Sequence, residues 1–142
     1  MSMRVVSRLL DAVPALVHAA SRSAAVRRVA LDPAVVRAGY AVATGAGLVW
    51  GALVSTGRLE RRAVLVASGC PRWAFGRGGT TIGAVYLTRD TASDRVIAHE
   101  AVHREQWRRY GLAFIPLYLA AGADATRNRF EIEAGLEAGG YR

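Results

Sequence analysis

The sequence predicts an α+β fold in which a small β-sheet packs on two helices. Two short runs rich in apolar and β-branched residues, at 63–67 and 80–88, are typical of buried strands. From residue 94 onwards, apolar residues recur every three or four positions, as on helices that pack by one face. Residues 1–60 contain no comparable strand pattern, and we expect them to form a helical extension before a domain at residues 61–142.

Length, charge and cysteine content restrict the function. A chain of 142 residues has room for one domain with a core and one appendage. All basic residues are arginines spread along the chain, so the net charge of +8 predicts salt-sensitive adhesion rather than specific nucleic-acid binding. Cys70 is the single cysteine, which excludes an intramolecular disulfide and an iron–sulfur cluster with four cysteine ligands.

Residues 38–57 carry no charge and lie between Arg37 and Arg58. The segment is long enough to span a bilayer, but its glycines make it only mildly apolar, so two alternatives stay open. It forms either a membrane span or a helix buried on the domain or in a partner. Asp11 and Pro14 interrupt the apolar stretch that a signal peptide needs. We therefore expect a cytoplasmic protein, with membrane association through residues 38–57 as the alternative.

The pattern His-Glu-Ala-Val-His at residues 99–103 carries the most chemical information in the chain. Histidines four apart lie on the same face of a helix, so His99 and His103 can bind one metal ion while Glu100 reaches its water. The chain has only three histidines, and the remaining one, His18, lies among small apolar residues. The pattern predicts a zinc site with Glu100 as its catalytic base.

The helix that carries this pattern has predictable ends and a predictable inner face. Thr91 or Ser93 can cap its N-terminus, and Gly111 can end it. Spacings of three and four place one stripe toward the protein interior, as a metal site requires. The members of this stripe are Val96, His99, Glu100, His103, Gln106, Trp107 and Tyr110.

Catalytic zinc usually takes three protein ligands, so a carboxylate must join the two histidines. Glu131 and Glu133 are the candidates, on a helix predicted at residues 127–138. Two positions apart on a helix, their side chains point roughly 200° away from each other. At most one of them can therefore face the metal, and the spacing alone leaves both open.

Three further segments accompany the motif, which reads H-E-x-V-H-x-x-Q over residues 99–106. They are Gly111, F-x-P-x-Y-L at 114–119 and N-x-F-E-x-E-A at 128–134. Together the motif and the three segments resemble a known group of proteins. Over residues 61–142 the chain thus resembles small bacterial zincin-like proteins of the gluzincin type. In gluzincin metallopeptidases the second helix often reads E-x-x-A-D, and residues 131–135 match as E-x-x-A-G.

The resemblance implies a zincin-like fold, a Zn²⁺ ion held by His99, His103 and Glu131, and metallopeptidase activity with Glu100 as general base. It also implies that a peptide or protein substrate lies extended along the strand at residues 80–88. Gly135 replaces an aspartate that orients a ligand histidine in many gluzincins. We expect Gln106 or Asn128 to supply that support instead.

Two points stay open. The candidates for a donor that stabilises the reaction's oxyanion are Tyr110, Tyr118, Tyr141, Arg127 and Arg129. The alternative to an enzyme is a non-catalytic module in which zinc holds two helices together and residues 1–60 tether the protein to a membrane or a partner.

Overall fold

The chain folds as α+β, as predicted, in a computed structural model that describes residues 3–90 and 92–141. These residues form six α-helices, four strands and single 3₁₀ turns at Arg72–Ala74 and Gly111–Ala113. In chain order the elements are α1 (Met3–Arg22), α2 (Ala24–Ala30), α3 (Pro33–Val54), β1 (Leu59–Arg61), β2 (Leu65–Ala67), β3 (Gly79–Ile82), β4 (Val85–Thr88), α4 (Asp94–Tyr110), α5 (Phe114–Ala120) and α6 (Arg129–Ala134).

The sheet has the strand order β1-β2-β4-β3, with β3 at an edge. β2 and β4 are parallel, while β1 pairs antiparallel with β2, and β3 with β4. The single strand predicted at residues 80–88 is wrong, because the chain reverses at Gly83 and forms a hairpin. Gly83 has a φ of +61°, which a glycine adopts without strain. The mixed periodicity of this apolar run does not reveal the turn.

The ends of the site-bearing helices follow from capping. The Ser93 hydroxyl accepts a hydrogen bond from the Val96 N–H, and Gly111, at a φ of +55°, ends α4. The other predicted cap, Thr91, lies outside the described residues. The last helix is shorter than the predicted 127–138, because Asn128 caps it at one end and Gly135, at a φ of +96°, ends it at the other.

Helix α3 covers one face of the sheet with its smallest residues. Its buried positions repeat every three or four residues: Val36, Gly39, Ala43, Gly47 and Gly51. A Cβ atom on Gly47 would lie 2.8 Å from the Ile82 carbonyl oxygen, so only glycine permits this close approach of helix and sheet.

Of the alternatives for residues 38–57, the structure shows a helix that packs on the domain by one face, while Val42, Val49 and Leu53 on its other face are exposed. Within the described residues, no helix combines the length and the apolar character that crossing a bilayer requires. The boundary predicted at residue 60 falls inside β1, and α3, on its N-terminal side, packs on the sheet.

An aromatic cluster joins the three C-terminal helices. Phe114 of α5 packs edge to face against Trp107 of α4 and Phe130 of α6, with ring centroids 5.2 and 5.1 Å apart. Such pairs bury much apolar area and favour one relative orientation of their rings. The cluster thereby fixes the face that α6 turns toward α4.

The packing of α3 can be tested with two glycines of the same helix. Gly47→Val should lower the free energy of unfolding by about 1–3 kcal/mol, because its side chain would collide with β3 and β4. Gly45→Ala should leave stability unchanged or raise it by up to about 1 kcal/mol, since a Cβ atom there meets nothing within 4 Å. Urea denaturation measures both, and equal destabilisation by the two variants would contradict the packing.

Candidate metal centre

Two helices bring three potential metal ligands together in the interior. His99 and His103 lie one turn apart on α4, and Glu131 faces them from α6; all three are buried. The two Nε2 atoms are 3.0 Å apart, and Glu131 Oε2 is 3.2 Å from that of His99 and 3.5 Å from that of His103. The ligand atoms all lie within 4.8 Å of one another, so this group could hold a metal ion.

Glu133, the other carboxylate that spacing left open, lies away from this group. Its Oε1 accepts a hydrogen bond from Arg109 and its Oε2 one from Gln106, each at 3.0 Å. The two glutamates therefore point in different directions from the same helix, as expected for residues two positions apart.

The Gln106 side chain fixes the tautomer of His103. Its amide nitrogen lies 3.0 Å from both the Phe130 carbonyl oxygen and Glu133 Oε2, which can only accept hydrogen bonds. The amide oxygen must therefore face His103 Nδ1, at 2.8 Å, and that nitrogen carries the proton. In the neutral imidazole, Nε2 is then left with a free lone pair.

His99 is oriented in the same way by the main chain. Its Nδ1 lies 3.0 Å from the Gly135 carbonyl oxygen, an acceptor, so Nδ1 again carries the proton and Nε2 the lone pair. Gly135 thus supplies from its backbone the support that an aspartate side chain would give. Of the two residues expected to do this, Gln106 orients a histidine, whereas the Asn128 side chain caps α6 and bonds to the Tyr118 and Gly122 carbonyls.

The donor set fits a cation. Two nitrogen lone pairs face each other across 3.0 Å, next to Glu131 Oε2, a buried carboxylate oxygen with no hydrogen-bond partner. Such groups repel one another unless a positive charge lies between them. A divalent metal ion provides that charge and bonds to all three atoms.

The pKa values indicate the same preference for positive charge. Burial opposes protonation of His103, but the neighbouring carboxylates of Glu131 and Glu100 raise its pKa above the ordinary value. Burial also disfavours the ionised Glu131, yet the neighbouring imidazoles of His103 and His99 and the hydrogen bond from Tyr118 hold its pKa well below the usual range. Without a metal, a proton on an imidazole can supply the positive charge.

Glu100 lies beside the three ligands and is held from the edge strand. The Thr81 hydroxyl donates a hydrogen bond to Glu100 Oε2 at 2.6 Å. Burial raises the pKa of Glu100, although the Thr81 hydrogen bond and the nearby histidines act in the opposite direction. Sequence reasoning missed Thr81, because this contact joins residues 19 positions apart on a strand and a helix.

The ligands and Glu100 line an open cleft of about 580 Å³, a volume common for small-ligand sites. The edge strand β3 forms one wall, and apolar side chains of α5 form another. Of the five candidate oxyanion donors, Tyr118 and Tyr141 line the cleft. Tyr110 packs against Phe114 and Phe130, and Arg129 lies over the Phe130 ring.

The two tyrosines of the cleft differ in their partners. Tyr118 donates a hydrogen bond to Glu131 Oε1, so the other oxygen of that carboxylate faces the histidines. The Tyr141 ring lies 6.1 Å from the His99 ring, and burial together with the charge of Glu131 raises the pKa of Tyr141 to about 12. Its hydroxyl therefore stays protonated and can donate a hydrogen bond into the cleft.

Fold and site together define an α+β protein in which a buried His–His–Glu group that could hold a metal ion lines a cleft. Comparison with protein-family models, with curated proteins and with solved structures found no match to this chain.

The hydrogen bond between Tyr118 and Glu131 predicts a loss of metal affinity. Tyr118→Phe should weaken Zn²⁺ and Co²⁺ binding about tenfold, because Glu131 loses the donor that orients its carboxylate. Competition with a chelating dye measures the affinity. Tyr110→Phe, in the same aromatic cluster, is the matched control and should bind both ions like the wild type. Equal affinities for all three proteins would show that Tyr118 has no part in the site.

Proposed function

We propose that the protein is a zinc-dependent hydrolase, and specifically a metallopeptidase, with His99, His103 and Glu131 as metal ligands. The observation that carries the proposal is the orphaned Glu131 Oε2, buried within 3.5 Å of two imidazole nitrogens whose other ring nitrogens are already bonded. Two histidines and one glutamate are a ligand set of catalytic zinc, which leaves a position open for water.

The chemistry divides between the metal and the chain. When bound, zinc supplies Lewis acidity, which makes a water more acidic and a substrate carbonyl more electrophilic. Glu100 accepts the proton of the attacking water on a carboxylate oxygen and passes it to the leaving amine. Thr81 keeps the carboxylate aimed during both transfers by holding Oε2 at 2.6 Å. Tyr141 donates its hydroxyl proton as a hydrogen bond to the developing oxyanion.

The substrate in this proposal is a peptide that lies along β3. An edge strand offers unpaired main-chain groups to an extended peptide, and β3 also lines the cleft above the ligands. The Thr81 carbonyl already accepts a hydrogen bond from the Trp107 indole N–H at 2.9 Å. The strand therefore pairs with a short stretch of substrate, and affinity depends largely on side-chain contacts in the cleft.

An open cleft favours the enzyme over the non-catalytic module. Structural zinc sites are closed by four protein ligands, whereas the described residues bring three together beside a carboxylate that is not a ligand. The module would use the metal to join α4 to α6. Aromatic packing and Gln106 already join those helices.

Metal analysis tests the ligand assignment. Purified protein should carry about one zinc per chain, and Glu131→Ala should lose it, because two imidazoles alone bind zinc weakly. Glu137→Ala is the matched control and should keep its zinc, since that exposed carboxylate pairs with Arg95 outside the site. Plasma mass spectrometry measures the metal content. Full occupancy in Glu131→Ala would refute the assignment.

Substitution of the proposed base Glu100 distinguishes the enzyme from the non-catalytic module. Glu100→Gln should keep its zinc but cleave fluorescein-labelled casein about 10²–10⁴-fold more slowly than the wild type, because the amide cannot accept the proton. The zinc-loaded wild type provides the reference rate. A zinc-loaded wild type that leaves casein and a mixed peptide library intact would favour the non-catalytic module.

A further inference from the structure

The cleft contains one positively charged side chain, and it belongs to none of the groups described above. Arg77 is the only arginine among the described residues that line the cleft. Within the described residues, the arginines that form ion pairs are Arg62, Arg95, Arg108 and Arg109. The guanidinium of Arg77 is therefore available to a ligand.

The loop that presents Arg77 is anchored on both sides. The Gly76 N–H donates a hydrogen bond to Thr80 Oγ1 at 2.9 Å, and the Thr88 hydroxyl donates one to the Gly78 carbonyl at 3.2 Å. Gly79 lies so close to the Tyr86 ring that a Cβ atom would collide with it. The backbone on either side of Arg77 is thus fixed against the β3–β4 hairpin.

Arg77 shares the cleft with the groups of the candidate metal centre, because His99, Glu131 and Tyr141 line the same cleft. Its positive charge acts against the rise in the pKa of Tyr141 and helps to lower the pKa of Asp124. Asp124 Oδ1 already accepts hydrogen bonds from the N–H and the hydroxyl of Thr126.

The charge balance of the cleft favours an anion. With neutral histidines and a divalent metal, the charges of Glu100 and Glu131 cancel that of the ion. Among the residues that line the cleft, Arg77 then leaves one net positive charge; the Asp124 carboxylate lies outside this lining and accepts hydrogen bonds from Thr126. Field lines are concentrated in such a cleft, which raises the local concentration of anions.

We propose that Arg77 forms a carboxylate-binding subsite of the cleft that also contains the candidate metal centre. Because it assigns a substrate class to the same cleft, this inference rests on the proposed peptidase function. A guanidinium binds a carboxylate through two parallel hydrogen bonds, a geometry that lysine does not match. The carboxylate is either the C-terminus of a short peptide or an aspartate or glutamate side chain.

Binding can be measured without turnover in the Glu100→Gln protein, titrated by calorimetry with and without one equivalent of zinc. The probes are acetyl-Ala-Leu-Ala with a free C-terminus, the same peptide as its amide, and acetyl-Ala-Leu-Glu-amide. At least one of the two carboxylate peptides should bind about tenfold more tightly than the neutral amide. The peptide that does so identifies the source of the carboxylate.

Arg77 is then substituted in the same Glu100→Gln protein. Arg77→Ala should abolish the preference, and Arg77→Lys should retain only part of it. Arg72→Ala, an exposed arginine of the preceding turn that lies outside the cleft lining, should bind all three peptides as before. Equal binding of the three peptides, or a preference that survives Arg77→Ala, would overturn the subsite.

These outcomes are separate from the fate of the proposed function. If the chain takes up zinc but cleaves nothing, the hydrolase fails, while the Arg77-dependent preference is still measured in the zinc-loaded titration. If zinc and cleavage are present but the preference is absent, the subsite alone fails.

Discussion

The buried amide of Gln106 is the contact on which the metal centre depends. Its nitrogen bonds to α6 at the Phe130 carbonyl and at Glu133, and its oxygen bonds to His103 on its own helix. One orientation satisfies all three contacts, so the same side chain joins α4 to α6 and sets the tautomer that frees His103 Nε2. A buried amide that lost any of these partners would be left with an unsatisfied group.

Helix α6 shows why such a contact is needed. With six residues it is too short to be stable alone, and its position comes from the Asn128 cap and the packing of Phe130. Glu131 and the Gly135 carbonyl both belong to this segment, and both meet histidines of α4. A bound metal would therefore join α4 to a helix that is too short to be stable alone.

Periodicity explains which parts of the site were predictable. His99, Glu100, His103 and Gln106 share a helical face, which their spacing reveals, and the choice of Glu131 over Glu133 came from the resemblance rather than from the spacing. Thr81 and the Gly135 carbonyl were missed because one acts across strand and helix and the other is a backbone atom. The hairpin at Gly83 was missed for a related reason, since a positive φ leaves no periodic trace. Residues 38–57 did indicate packing on the sheet, through small residues spaced by four at Gly39, Ala43, Gly47 and Gly51.

Thr81 connects the wall of the cleft to its chemistry. Its hydroxyl holds Glu100 and its carbonyl holds Trp107, two residues about two turns apart on α4. The edge strand and the motif helix are therefore pinned at two points, and β3 cannot shift without moving the carboxylate. A peptide that pairs with β3 thus binds to the element that aims the proposed base. In the proposed peptidase, this one threonine would therefore couple the position of the substrate to proton transfer.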